Sequence, residues 1–96
     1  MKIRDIIGQE KATLSFEVFP PKKDTDFASV EAAALGIAAL RPSYMSVTYG
    51  AGGSTKGHTI KLANEIQEKY GVPTIAHLTC VCANKDSIRT ALSEMK

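Results

Sequence analysis

Tryptophan is absent from this 96-residue chain, and cysteine occurs only twice, at Cys80 and Cys82. Two thiols one residue apart make no ordinary disulfide framework, so a disulfide-stapled secreted scaffold is excluded and a reducing, cytoplasmic setting is expected. No apolar run approaches the ~20 residues of a membrane span, and Met1-Lys2 leads into a charged segment, so neither a membrane anchor nor a signal peptide is expected. Charge of one sign is also lacking: 12 Lys and Arg against 10 Asp and Glu leave a formal net charge of +2. The basic residues are dispersed among the acidic ones, which gives no electrostatic footprint for nucleic acid. What is present is ordinary for a soluble α/β domain or a piece of one, with 44% hydrophobic and 23% charged residues.

Three segments read as strands. Leu14–Phe19 and Tyr44–Tyr49 alternate in polarity, and Thr74–Cys80 is apolar and rich in β-formers. Helical spacing lies between them. Phe27–Leu40 places Val30, Ala34, Ile37 and Leu40 on one side and ends before Arg41-Pro42. Thr59–Tyr70 does the same with Ile60, Ala63, Ile66 and Tyr70, and stops at Gly71, a residue suited to a helix C-terminus. Ile88, Ala91, Leu92 and Met95 mark a third helix with Asn84 or Asp86 as its cap, and Ile3–Glu10 reads as a short amphipathic helix before the first strand. The strand–helix unit repeats every ~30 residues, and helical crossovers of that length make neighbouring strands parallel. Three parallel strands leave both sheet edges open, and a closed (β/α)8 barrel needs about 250 residues. Residues 1–96 are therefore expected to be the N-terminal part of a single larger barrel domain.

Glu17 is the conspicuous residue. It lies within the run Leu14-Ser15-Phe16-Glu17-Val18-Phe19, which Pro20-Pro21 ends. A carboxylate in an apolar setting either finds partners or favours its neutral form, and a carboxyl that keeps its proton is what a general acid needs. Alternation pairs Glu17 with Ser15 on one face, Thr48 with Ser46, and His77 with Ile75 and Thr79. Glu17, Thr48 and His77 thus fall near the C-terminal ends of three successive strands, where parallel barrels assemble their sites. Against this stands the plainer possibility that each is an isolated polar group satisfied by its neighbours.

Gly50-Ala51-Gly52-Gly53-Ser54-Thr55 follows the second strand. Its glycines allow close backbone approach to a ligand, but the spacing matches neither a dinucleotide fingerprint nor a P-loop, and a tight turn explains it equally well. Lys22 and Lys23 can meet an anion or simply face solvent. Cys80 and Cys82 with His77 lack a second ligand pair at zinc spacing, so no metal is expected. His58 is expected to be exposed, with nothing to mark it as functional.

Three motifs together resemble the 5,10-methylenetetrahydrofolate reductase family. They are Ser15-Phe16-Glu17-Val18-Phe19-Pro20-Pro21-Lys22, Ser46-Val47-Thr48-Tyr49-Gly50-Ala51-Gly52-Gly53-Ser54-Thr55, and Ala76-His77-Leu78-Thr79-Cys80-Val81. The best-known form of the first has Phe where this chain has Val18, a position on the face opposite Glu17. The resemblance implies a FAD-dependent (β/α)8 barrel that reduces methylenetetrahydrofolate to 5-methyltetrahydrofolate with NADH or NADPH, in a cytoplasmic homo-oligomer. It implies Glu17 as the general acid that assists opening of the folate's five-membered ring, and Thr48, Tyr49, Ala51 and His77 as contacts to flavin or nicotinamide. It also implies that further FAD- and folate-holding residues follow Lys96, so residues 1–96 alone are expected to bind FAD weakly and to lack reductase activity. Two competitors stand beside this reading. One is another barrel enzyme that binds a phosphorylated ligand at Gly50–Thr55, and the other is a non-enzymatic α/β binding module.

Overall fold

The computed structural model describes residues 2–9, 12–21, 24–49, 56–81 and 83–95. In chain order the elements are α1 (Ile3–Gln9), β1 (Ser15–Val18), a 3-10 turn (Asp24–Asp26), α2 (Phe27–Ala38), β2 (Tyr44–Val47), α3 (Lys56–Tyr70), β3 (Thr74–Ala76) and α4 (Lys85–Glu94). The strands form one parallel sheet in the order β1-β2-β3, as the ~30-residue repeat requires. Register sets Glu17 beside Ser46 and Val47 beside both Val18 and Ala76.

The core lies on one side of this sheet. Met45 and Val47 of β2 meet Ala34 and Ala38 of α2 and Leu62, Ala63 and Ile66 of α3, with Phe16, Val18 and Ala76 packed at the margin. Small residues on α2 let that helix sit close to the strands, while Leu62 and Ile66 of α3 fill the space over β2. Among the described residues, no helix is long and apolar enough to cross a membrane.

Helix ends follow local chemistry. Gly71 takes φ 65° and donates its N–H to the Gln67 carbonyl at 2.9 Å, the C-terminal role its position implied. Asn84, not Asp86, caps α4: its side-chain oxygen accepts the Ser87 N–H at 2.8 Å, and its own N–H donates to Ser87 Oγ at 2.9 Å.

The structure corrects several expectations. The strands are shorter than Leu14–Phe19, Tyr44–Tyr49 and Thr74–Cys80, because pairing lapses once each chain turns away towards its helix. The backbone ladder runs only slightly further, with Thr48 N–H on the Val18 carbonyl and His77 N–H on the Val47 carbonyl, both at 3.0 Å. Leu14 and Phe19 fall outside β1 and are exposed. Helix α2 stops at Ala38, and Arg41 adopts φ 56° to lead into buried Pro42. The buried face of α2 runs through Phe27, Ala34 and Ala38, which leaves Leu40, past the helix end, 75% exposed. Helix α4 has the expected periodicity but no fully buried residue, and Leu92 is half exposed. The amphipathic N-terminal helix buries only Ile6.

Candidate active site

Because side chains alternate along a strand, placing Phe16, Val18, Met45 and Val47 against the helices sends Glu17 and Ser46 to the opposite face. There, Ser46 Oγ donates to Glu17 Oε1 at 3.1 Å. His77, just beyond β3, brings Nε2 to 3.7 Å from the same oxygen. Glu17 and His77 therefore come together, although they lie on non-adjacent segments of the sheet. The apolar setting suggested by the sequence around Glu17 is not what the fold provides. Its hydrophobic neighbours in sequence point the other way, and its side chain remains 48% exposed. The His77 side chain is 43% exposed, so both groups are within reach of a molecule on that face.

Ser46 is the partner that the sequence did not single out. The available signal was the repeat itself: Ser46 lies 29 residues after Glu17, one βα unit away, which makes the two register neighbours.

Thr48 is anchored through its backbone. Its N–H donates to Val18, and its carbonyl accepts the hydroxyl of Thr59 at 2.9 Å. Thr59 is fully buried in α3, so the exit of β2 is clamped to that helix. Tyr49, the next residue, is buried on the helical side and not beside Glu17. It lines a cavity of about 330 Å³ with Ile60, Leu78, Ile88 and Ala91 between α3 and α4. Ala51, the rest of the Gly50–Thr55 loop, Lys22, Lys23 and Cys82 lie outside the described residues.

His58 is not exposed as the sequence implied. It is half-buried and stacks on Phe27 with ring centroids 4.9 Å apart, while Lys61 Nζ lies 4.6 Å from the centroid of the same ring. Among the described residues, no group of three or more His, Cys, Asp and Glu is placed to hold a metal ion. The Thr79 hydroxyl, two residues beyond His77, is buried without a hydrogen-bond partner among the described residues. Away from this face, Glu65 of α3 has its carboxyl held above the ordinary range. A hydrogen bond with Glu31 of α2 is the main cause, burial and the Glu31 charge add to it, and Lys69 and Lys61 oppose it.

Comparison with known proteins settles the family. Residues 2–96 match the family described as methylenetetrahydrofolate reductase. The chain belongs to the methylenetetrahydrofolate reductase family. It is 36% identical over 95 residues to methylenetetrahydrofolate reductase (NADH) 1 of Zea mays, covering 99% of this chain and 16% of that protein. It is 40% identical over 91 residues to the 5,10-methylenetetrahydrofolate reductase of Buchnera aphidicola, covering 91% of this chain and 27% of that one. The Salmonella typhimurium enzyme is 33% identical over 82 residues, with 85% and 28% covered. The chain thus spans between about a sixth and just over a quarter of these reductases, and Glu17, Ser46 and His77 all fall within the part that matches.

Proposed function

We propose that this chain forms part of the catalytic (β/α)8 barrel of a FAD-dependent reductase that converts 5,10-methylenetetrahydrofolate to 5-methyltetrahydrofolate with NADH or NADPH. The observation that carries the proposal is the convergence of Ser46 and His77 on Glu17 Oε1, at 3.1 and 3.7 Å, on the sheet face that the helices leave open. The relatives from maize and rice carry NADH in their names, which favours NADH as the donor. The assembled protein is proposed to be cytoplasmic and homo-oligomeric, with residues 1–96 alone binding FAD weakly and turning over no substrate.

The residues present fit a flavin with an extended polar edge. His77 offers a half-exposed imidazole, and Thr79 a buried hydroxyl without a partner among the described residues. Thr48 sits at a strand exit fixed by two hydrogen bonds through its backbone, one from the Thr59 hydroxyl and one to the Val18 carbonyl. Thr48, Tyr49 and His77 are the described residues proposed to contact the cofactor, and Ala51, outside the described residues, is proposed in the same role. FAD, when bound, supplies hydride relay between the nicotinamide and the folate.

Glu17 supplies the proton. Opening the folate's five-membered ring breaks a carbon–nitrogen bond, and the nitrogen leaves readily only as it gains a proton. A carboxyl group can donate that proton when bound substrate excludes water and favours the neutral acid. Ser46 holds the carboxyl by its hydrogen bond, with His77 beside it, so its orientation is set before substrate arrives.

Full-length protein should purify yellow with one FAD per chain. NADH should bleach that colour anaerobically, and methylenetetrahydrofolate should restore it. A colourless protein, or one whose reduced flavin is indifferent to the folate, contradicts the proposal.

A further inference from the structure

We propose that Ser46 is a positioning residue for the acid. Its hydroxyl fixes Glu17 Oε1 and so directs the catalytic proton to Oε2. The inference rests on the reductase reading above and adds a residue to it.

The geometry is specific. Ser46 and Glu17 are register neighbours on adjacent parallel strands, so the serine is held beside the carboxyl by the sheet and not by a mobile loop. The residues flanking Ser46, Met45 and Val47, are fully buried in the core, which leaves the β2 backbone little freedom to turn the hydroxyl away. Ser46 Oγ donates to Oε1 at 3.1 Å, and His77 Nε2 approaches that same oxygen at 3.7 Å. Both neighbours therefore act on one oxygen of the pair. An oxygen already accepting a hydrogen bond is a poor place for an acid proton, and Oε2 is the alternative.

Around the Glu17 carboxyl, the described groups that face it from the packed segments are Ser46 of β2 and His77 beyond β3. Removing the serine hydroxyl leaves His77 in place, so a change on removal reports the serine.

Half-reactions of the full-length protein separate the possibilities. Ser46→Ala should slow reoxidation of the reduced flavin by methylenetetrahydrofolate roughly tenfold, the scale of one lost hydrogen bond to a charged group. Flavin reduction by NADH should stay within about twofold. Ser46→Thr, which keeps the hydroxyl, should recover the rate of the folate step. An unchanged folate step in Ser46→Ala, or equal loss of both half-reactions, overturns the positioning role. Glu17→Gln is the control. If it too reoxidises normally, the acid assignment fails and the positioning role falls with it. If it is blocked while Ser46→Ala is normal, only the positioning role fails. Should Ser46→Ala fold poorly, Ser46→Cys keeps a similar volume with a weaker donor, and its folate step should be slowed while flavin reduction by NADH is not.

Discussion

The two faces of the sheet are made from alternate residues of the same strands, yet packing treats them oppositely. On the helical face, Met45 and Val47 are fully buried against Leu62 and Ile66. One residue away, Ser46 is only half-buried, and Glu17 beside it is 48% exposed. The helical face carries the packed core, and the other face carries Ser46 and the Glu17 carboxyl. That division explains why Glu17 looks misplaced in a one-dimensional reading. Its apolar neighbours serve the core, and it does not.

Substitutions on the two faces should therefore break different properties. The largest stability effect is expected from Met45→Ala, which empties a fully buried site and should cost about 2–5 kcal/mol, read as a lower urea midpoint. Gly71→Ala should cost roughly 1 kcal/mol. No atom lies within 4 Å of the added methyl, so the penalty comes from the backbone at φ 65°. Asn84→Ala removes the capping box of α4 and should cost about 1 kcal/mol, visible as faster amide exchange at Lys85–Ser87.

The smallest effect concerns pH and lies between α2 and α3. The Glu65 carboxyl is raised by Glu31 and by burial, so the folded state holds this proton more tightly than the unfolded chain. Its contribution is fully present below the ordinary glutamate range and is lost as pH rises through the raised value. Glu65→Gln should flatten that decline, leaving the variant relatively more stable at neutral pH than at acid pH when both proteins are compared. An unaltered pH dependence would show that Lys61 and Lys69 already neutralise the pair.

Much of this architecture was legible because it depends on local signals. The ~30-residue repeat predicts the parallel order, Gly71 the end of α3, and Asn84 was one of two candidate caps. Alternation placed Glu17 opposite Phe16 and Val18, and the same rule put Ser46 on the Glu17 face. What stayed hidden depends on contacts across the chain. Leu40 shares the period of Val30, Ala34 and Ile37, but the docked face of α2 is the one through Phe27, Ala34 and Ala38, and Leu40 lies past the helix end. The bond from Ser46 to Glu17 needs the register, and the Glu31–Glu65 pair needs α2 and α3 to be docked. His58 on Phe27 joins the starts of two helices separated by a full βα unit. Ala51, in the Gly-rich loop, lies outside the described residues.

The central claim is that Glu17 serves the reaction and not the fold. Its most direct test is the pair of anaerobic half-reactions in full-length Glu17→Gln, with the urea midpoint of the same preparation. The account predicts a midpoint shifted by less than ~0.5 kcal/mol in stability, normal flavin reduction by NADH, and no reoxidation by methylenetetrahydrofolate. Reoxidation at the wild-type rate would contradict it.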